Sequence, residues 1–308
     1  MDAKDLKKAK EFQNLRNSLL EGDDLKDVIN QAMEDLKNDP EVYEIIKKLG
    51  LTNKDVREHI GMLREFQKDY NVCKNCPGFE NCPKEEEHYR ISVSNDDGFL
   101  ERRYSPCEKY RALMQARSRY YIRDFPDEWL GKGLNEIDTT KDRNQIILQM
   151  LALASGKSDD WLYITGKVGS GRSYLLACFS NDFGKKCHDA IAFTDTADLV
   201  DSLRALSIED KAKFDKEMAR IESCPLLVLD GFGDEYKSDF AFSTVLFPIL
   251  RERAKNHLIT AFSSDFTFGQ IEEMYSQKVG RARAHQLTEL ILLKAKKERK
   301  LSGLPLYS

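Results

Sequence analysis

The sequence contains no apolar run as long as a membrane span, which requires about 20 residues. Its start, Met1-Asp2-Ala3-Lys4, leads into charged sequence without the apolar core and cleavage site of a signal peptide. Positive charge is not in excess either, because 52 acidic residues outweigh 48 basic ones. These absences argue against a membrane protein and a strongly basic nucleic-acid binder. We therefore predict a cytoplasmic protein with no membrane partner, whose contacts with DNA are local or supported by another protein.

Cysteine is scarce and unevenly placed. The chain has 7 cysteines in 308 residues, and Cys178, Cys187 and Cys224 are scattered. A secreted disulfide scaffold is shorter and more evenly populated with cysteine. The other four cysteines lie between residues 73 and 107. We therefore predict a reducing compartment, with this cluster as a metal site.

The cysteine cluster has the spacing of a zinc module. Cys73-x-x-Cys76 forms a metal knuckle, and Cys82, His88 and Cys107 follow it. Thiolate and imidazole ligands suit tetrahedral zinc, and these five candidates compete for four positions. We favour Cys73, Cys76, His88 and Cys107, with Cys82 as the alternative, in a structural site without an open position. The competing interpretation is five unrelated residues in a helical and hairpin module.

The order of predicted elements changes along the chain. Residues 1–70 show helical periodicity, and a hairpin is predicted at 89–104 around Asp97-Gly98. From about residue 136, strands alternate with helices, which predicts an α/β fold with a parallel sheet covered on both faces. The predicted strands are Trp161–Thr165, Ala190–Thr194, Leu226–Asp230 and Leu258–Phe262. The predicted organisation is a helical zinc domain over 1–107, a linker over 108–135 and the α/β domain over 136–308.

A phosphate-binding loop follows the first of these strands. The segment Gly166-Lys167-Val168-Gly169-Ser170-Gly171-Arg172-Ser173 leads into a predicted helix, which is the P-loop pattern in strand–loop–helix context. Glycines let backbone N–H groups wrap a phosphate, and the helix N-terminus adds partial positive charge. The candidate residues for ATP with Mg²⁺ are Gly166, Gly169, Ser170, Gly171, Arg172, Ser173 and Tyr174. Arg172 departs from the pattern, which has lysine there, and the two residues are not interchangeable.

A second nucleotide-site motif lies at 225–235. The apolar strand Leu226–Asp230 ends in an aspartate, which would deliver the Mg²⁺-side carboxylate to the carboxyl edge of the sheet. The next position normally carries the acid that orients the attacking water, but this chain has Gly231. Asp234 and Glu235 are nearby with a different geometry, so the catalytic candidates are Asp230 and, more weakly, Glu235.

The zinc module, a basic linker and a short P-loop domain together resemble the DnaI-type primosomal helicase loaders of low-GC Gram-positive bacteria, which belong to the AAA+ class. The resemblance covers nearly the whole chain and includes 163–169, 225–235 and 260–266. It implies an N-terminal zinc domain that binds the hexameric replicative helicase. It also implies an AAA+ domain that binds ATP and single-stranded DNA, with other primosome proteins as further partners in replication initiation or restart.

The chain departs from this family at several nucleotide-site positions. Arg172 replaces lysine, Gly231 replaces the second acid, and Asp265 stands where a sensor asparagine would be. The places of the two C-terminal arginines are taken by Gln286 and Leu290, with Arg281 and Arg283 as nearby alternatives. Loss of groups that contact the terminal phosphate or orient water lowers hydrolysis by orders of magnitude. We therefore expect weak hydrolysis or none.

Two alternatives remain at the level of sequence. Besides the helicase loader, these are a catalytically inactive P-loop adaptor and a zinc-dependent DNA-binding regulator. A basic stripe favours the regulator and consists of Arg111, Arg117, Arg119 and Arg123. The acidic overall charge of the chain disfavours the regulator. Basic stripes of this kind are also more often solvated faces than DNA sites. Four aromatic residues in the same region either stack on bases or, as we expect, pack against the P-loop domain: Tyr120, Tyr121, Phe125 and Trp129.

Overall fold

A computed structural model of the chain describes residues 23–78, 81–84, 88–96, 99–138 and 141–302. It separates into two compact units, which divide between Ala112 and Leu113. The predicted helical sequence at 1–22 and the predicted turn at Asp97-Gly98 lie outside the described residues. Within the described part, no helix combines the length and the hydropathy needed to cross a bilayer.

The first unit consists of short helices and one β-hairpin. Its elements are α1 (Asp23–Lys37), α2 (Pro40–Lys48), α3 (Asn53–Glu58), α4 (Ile60–Lys74), β1 (Tyr89–Asp96) and β2 (Phe99–Pro106). Helix α2 begins where the Asp39 side chain accepts a hydrogen bond from the Val42 N–H at 3.3 Å. Helix α3 begins with a reciprocal capping box between Thr52 and Asp55, a pattern that satisfies two free N–H groups.

The hairpin packs one face against the helices. Strands β1 and β2 are antiparallel, with Ile91 opposite Tyr104 and Asn95 opposite Leu100, which confirms the predicted hairpin. Because strand side chains alternate, this register turns Leu100 toward the helices. The buried core of the unit is Leu36, Val42, Ile46, Leu63, Phe66 and Leu100. Further partly buried hydrophobic side chains pack against this core, among them Met62, Tyr70 and Val93.

The second unit is built on a parallel sheet. A helix, α5 (Glu108–Arg117), spans the division between the units. The remaining elements are β3 (Tyr120–Arg123), α6 (Lys141–Ala154), β4 (Leu162–Gly166), α7 (Arg172–Gly184), β5 (Ile191–Asp195), α8 (Thr196–Glu209), α9 (Lys211–Ser223), β6 (Leu226–Asp230), α10 (Phe247–Lys255), β7 (Ile259–Ser264), α11 (Phe268–Val279), α12 (Arg281–Ala295) and β8 (Glu298–Leu301). The described strands form one six-stranded sheet in the order β3-β5-β6-β7-β4-β8.

Helices cover both faces of this sheet. Leu227 and Leu229 of β6 contribute to a core formed with α8 to α12. Leu226 and Val228 of the same strand face the opposite core, which is formed with α6 and α7. All four side chains are fully buried, as expected for a central strand of a parallel sheet. The predicted α/β class, with a parallel sheet between two helical layers, is confirmed.

The two outer strands differ from the sequence prediction. Residues 108–135 were assigned to a linker, but Tyr120–Arg123 within them pair in parallel with β5. The predicted strands end with Leu258–Phe262, but Glu298–Leu301 form a further strand, β8, which pairs with β4. Both are edge strands of only four residues; β3 lies within an aromatic segment and β8 contains three charged residues, so pairing with the sheet is what defines them.

The aromatic residues after β3 pack into the second unit, as expected. The Phe125 side chain is 7% exposed. Its ring lies edge-on to Phe193 of β5, with a centroid distance of 5.0 Å. The Tyr120 hydroxyl donates to the Asn181 side chain at 2.8 Å. These contacts place the segment after β3 in the core of the α/β unit.

Candidate functional site

The phosphate loop joins β4 to α7 at the carboxyl edge of the sheet. Gly169 and Gly171 have φ values of 80° and 85°, which L-residues rarely adopt. A Cβ at Gly166 would lie 2.7 Å from the Leu301 carbonyl oxygen and 2.9 Å from Ser170 Oγ. The loop is therefore closed against the sheet end in a form that only glycine permits at these positions.

Ser170 contributes a polar atom to this cradle. The residue is 4% exposed. Among the described residues, its Oγ is buried and has no hydrogen-bond partner. A buried polar group without a partner is costly, and a bound phosphate oxygen is an acceptor that would satisfy it. The cradle thus has both the shape and the free donor that a phosphate requires.

Ser173 and Asp230 lie together beside the loop. Ser173 Oγ, in the first turn of α7, donates to Asp230 Oδ1 at 3.0 Å. Ser263 at the end of β7 also donates to the same oxygen. Burial raises the pKa of Asp230, although these two hydroxyl donors oppose the shift. A hydroxyl and a carboxylate held this way are the oxygen ligands that Mg²⁺ prefers.

The Arg172 side chain is directed toward the sheet end. Its Nη1 donates to the carbonyl oxygen of Gly166 and, at 2.9 Å, to that of Ser264. Its Nη2 donates to Asp265 Oδ1, forming an ion pair. Two of the family departures found in the sequence, Arg172 and Asp265, are therefore bonded to each other across 93 residues of chain.

The position after Asp230 disfavours an acidic side chain. Gly231 has a φ of 63°, in the left-handed region that favours glycine. A Cβ there would lie 3.0 Å from Asp234 Oδ2 and 3.5 Å from Asp195 Oδ2. Backbone conformation and two neighbouring carboxylates together account for glycine at this position.

Glu235, the weaker catalytic candidate, points into the core. Its side chain has 0% exposure. Tyr275 Oη donates to Oε1 at 2.6 Å and the Gly233 N–H to Oε2 at 2.8 Å. Lys237 Nζ lies 3.6 Å from Oε1. Both oxygens are engaged in holding the loop after β6, so the structure gives Glu235 a structural role and does not support the catalytic one.

Tyr174, the last of the loop candidates, lies next to the segment that follows β3. Its ring is edge-on to Trp129, with a centroid distance of 5.3 Å. Trp129 in turn lies parallel to Phe125 at 6.3 Å. The aromatic segment therefore borders the phosphate loop, a proximity that sequence analysis did not anticipate.

Two further polar residues at the sheet edge were missed from the sequence. Ser263 contacts Asp230 as described, and Asp195 ends β5 beside Gly231. Asp195 also begins α8, because Oδ1 accepts from the Ala197 N–H at 2.8 Å. An aspartate at the carboxyl end of a predicted strand was the available signal for Asp195. Ser263 gave none, since a serine in a buried strand is common.

The C-terminal arginine alternatives lie on α12. Arg283 Nη1 donates to Asp239 at 3.0 Å, and Nη2 donates to Ser243. Gln286 and Leu290 instead line an open groove together with Phe247. Arg283 is therefore engaged within its own chain in this structure.

The candidate zinc ligands surround one small cavity in the first unit. A cavity of about 40 Å³ is lined by Cys73, Cys76, Cys82, His88 and Cys107. Among the described residues, no three ligating side chains converge closely enough to hold an ion in this structure. The backbone N–H of Gly78 and the nearby Lys109 ammonium lower the pKa of the Cys76 thiol, although burial opposes them. The Tyr110 N–H donates to Cys107 Sγ at 3.3 Å.

The order of strands and the position of the phosphate loop define a P-loop domain of the AAA+ class. Strand β7 lies between the strand that leads into the loop and the strand that ends in Asp230. The loop, Ser173 and Asp230 meet at the carboxyl edge, where ligands bind in open parallel sheets. The predicted fold is thus confirmed for the second unit.

The chain is similar to a DnaI-type helicase loader along most of its length. It is 23% identical over 282 residues to the "Replicative helicase loader DnaI" of Bacillus subtilis (strain 168), covering 86% of this chain and 88% of the relative. A solved structure, "Crystal Structure of the DnaI", matches with a TM-score of 0.51 and 26% identity, covering 58% of this chain and 95% of that chain. No family model matches the sequence. The resemblance to DnaI-type loaders predicted from the motifs is confirmed.

Proposed function

We propose that this protein loads a hexameric replicative helicase onto DNA during replication initiation or restart, in the cytoplasm. The observation that carries the proposal is the extent of the similarity to the B. subtilis loader, 86% of the chain. A match of that length includes residues of both units. A P-loop domain alone would support only a nucleotide-dependent function of unspecified kind.

Complex formation with the helicase tests this proposal. We expect the full chain, mixed with the hexameric helicase of its own organism, to co-elute in size-exclusion chromatography with light scattering. We also expect it to increase the amount of helicase bound to circular single-stranded DNA. Failure to form a complex at micromolar concentrations, together with no gain in helicase loading, would refute the proposal.

We propose that the first unit holds a structural zinc ion through Cys73, Cys76, His88 and Cys107, with Cys82 as the alternative. Support comes from the shared cavity that these residues line and from the lowered pKa of the Cys76 thiol. Zinc binds thiolates, so N–H and ammonium donors near sulfur favour it. The ion would crosslink α4, the hairpin and the start of α5, and this module would carry the contact with the helicase.

Metal analysis of single variants distinguishes the ligand sets. We expect one zinc per chain in the native protein and a loss of zinc in Cys107→Ser, whereas Cys82→Ser keeps it. Cys187→Ser, in the other unit, is the matched control. If Cys107→Ser keeps zinc and Cys82→Ser loses it, Cys82 replaces Cys107 as the fourth ligand. Absence of zinc from the native protein would exclude the site.

The second unit is proposed to bind ATP with Mg²⁺ and to hydrolyse it weakly or not at all. The residues fit the ligand: Ser170 offers a free donor in the loop, and Ser173 and Asp230 would hold the ion. Bound Mg²⁺ would neutralise phosphate charge. Gly231 supplies no side chain to orient water, so the chain can bind without turnover.

Calorimetry with MgATP, combined with phosphate release in the same samples, tests the nucleotide proposal. Micromolar binding without turnover is the expected result. Turnover at the rate of a working AAA+ ATPase would contradict the proposal that hydrolysis is weak or absent. Absence of binding in the folded, zinc-loaded chain would favour the alternative of a P-loop adaptor whose fold is only a scaffold.

Single-stranded DNA and other primosome proteins are the further proposed partners. Ion pairing within the basic stripe weakens the alternative of an independent DNA-binding regulator. Arg117 and Arg123 both pair with Asp127, each at 2.5 Å, which reduces the positive charge available to phosphates. Filter binding at several salt concentrations separates the two: tight, salt-sensitive binding by the chain alone would favour the regulator.

A further inference from the structure

The pairing of Arg172 with Asp265 leads to an inference about which nucleotide the P-loop accepts, and it rests on the proposed nucleotide binding. We propose that Asp265 is a specificity-determining residue that makes this site select a nucleoside diphosphate over a triphosphate. Arg172 and Asp265 both depart from the usual P-loop residues, and they contact one another.

The guanidinium of Arg172 is already occupied in three directions. It donates to the carbonyl oxygens that end β4 and β7, at Gly166 and Ser264, and to the Asp265 carboxylate. Its side chain is only 12% exposed. Since β4 and β7 are neighbours in register, with Thr165 opposite Ser264, the guanidinium fills the notch between their ends. The positive charge that a P-loop normally offers to the terminal phosphate is here neutralised by the protein itself.

Two further carboxylates lie near this pair, and Lys237 is a neighbouring cation. Asp234 lies at the same edge, and burial together with the Asp265 charge raises the pKa of its carboxyl. Asp195 and Asp234 both approach Gly231, with Oδ2 atoms 3.5 Å and 3.0 Å from the position of a Cβ there. A third phosphate would bring further negative charge into a region where Arg172 is the residue expected to meet it.

The consequence differs between the two nucleotides. The first two phosphates of a nucleotide can be held by loop N–H groups, Ser170 and the N-terminus of α7, none of which involves Asp265. A terminal phosphate that used the Arg172 guanidinium would share it with the Asp265 carboxylate, and two anions on one guanidinium lie only a few ångström apart. Like charges at that separation repel strongly in a partly buried site. ATP must therefore either displace Asp265 or place its third phosphate near that carboxylate without the arginine, whereas ADP has no third phosphate to place there.

Calorimetric titration of the full, zinc-loaded chain with MgADP and MgATP tests the proposal. We expect MgADP to bind about tenfold more tightly than MgATP, since a repulsion near 1.4 kcal/mol corresponds to a factor of ten. In Asp265→Asn, which keeps the shape and an acceptor oxygen but removes the charge, we expect the preference to shrink to about threefold or less. The gain should come from tighter MgATP binding, with MgADP binding nearly unchanged.

Asp159→Asn is the matched control, because it removes the same charge at an exposed position paired with His257. Asp159 precedes β4, so it lies at the amino ends of the strands, away from the phosphate loop. The preference for MgADP over MgATP should therefore stay as in the native chain. Thermal unfolding of each variant verifies that it is folded. Equal affinities in the native chain, or an unchanged ratio in Asp265→Asn, would overturn the inference while nucleotide binding stood. Binding of neither nucleotide would refute both this inference and the proposed nucleotide site.

Discussion

At the scale of single residues, several charged side chains at the carboxyl edge of the sheet bond to groups of the protein itself. Arg172 bonds to Asp265 instead of offering a free charge, and Glu235 bonds to Tyr275 and Gly233. Ser173 and Asp230 keep the arrangement expected of an Mg²⁺ site. This arrangement fits the proposed binding of MgATP with weak hydrolysis or none, so binding and hydrolysis must be measured separately.

Restoring the missing acid at Gly231 is expected to destabilise the protein without restoring hydrolysis. Gly231→Glu forces a side chain into a backbone with φ of 63° and places a carboxylate near Asp234. The left-handed conformation alone costs about 1–2 kcal/mol for a residue with a Cβ. Urea unfolding and phosphate release measure the two effects. A stable variant with brisk ATP turnover would contradict this account of the position.

An alanine at position 231 separates the cost of backbone strain from the cost of the added carboxylate. Gly231→Ala should lower the free energy of unfolding by about 1 kcal/mol, because the strain remains when the charge is absent. Gly269, near the start of α11, has open space around a Cβ and no positive φ. Gly269→Ala should leave stability unchanged or raise it slightly. Equal effects at the two positions would remove the strain argument.

A further prediction at this scale concerns Glu235. Glu235→Gln leaves Lys237, which is 13% exposed, without its carboxylate partner and is expected to cost about 3 kcal/mol of unfolding free energy. MgATP affinity should not change, since the side chain faces the core. Glu273→Gln, on the exposed side of α11, should stay within about 0.5 kcal/mol of the native chain. A loss of turnover or affinity at native stability would return Glu235 to the catalytic candidates.

At the scale of elements, local pattern predicts the inner strands and fails at the edges. Leu226–Asp230 is a buried apolar run bounded by turn residues, and its predicted bounds match β6. Glu298–Leu301 contains three charged residues, so nothing local distinguishes β8 from the basic end of a helix. The contact between Arg172 and Asp265 is not predictable from local sequence, for a related reason. It depends on the register between β4 and β7, which neither strand specifies by itself.

The segment after β3 provides the prediction at this scale. If residues 120–138 belong to the α/β unit, Phe125→Ala should destabilise that unit by about 3–4 kcal/mol, as expected for a buried aromatic truncated in a packed core. Urea unfolding followed by tryptophan fluorescence measures it, because Trp129 and Trp161 both lie in this unit. Tyr236→Ala, at a side chain 69% exposed, is the control and should have little effect. Native stability of Phe125→Ala would support a separate linker.

At the scale of the whole molecule, the two units stabilise themselves in different ways. The second unit buries two large cores on the faces of its sheet. In the described part of the first unit, six hydrophobic side chains form the buried core. The structural metal proposed above would add a crosslink to this core. Loss of metal should therefore affect one unit and spare the other.

The positions of the tryptophans make this selectivity measurable. Both tryptophans of the chain belong to the second unit, so their fluorescence reports that unit alone. We expect a strong zinc chelator to reduce the helical circular dichroism signal, through loss of α1 to α4, while tryptophan fluorescence stays at its native maximum. Cys73→Ser combined with Cys76→Ser should behave like the chelated protein, and Cys187→Ser should not. A chelator-induced shift in tryptophan fluorescence would show that the second unit depends on the metal. Unchanged circular dichroism would show that the first unit folds without it.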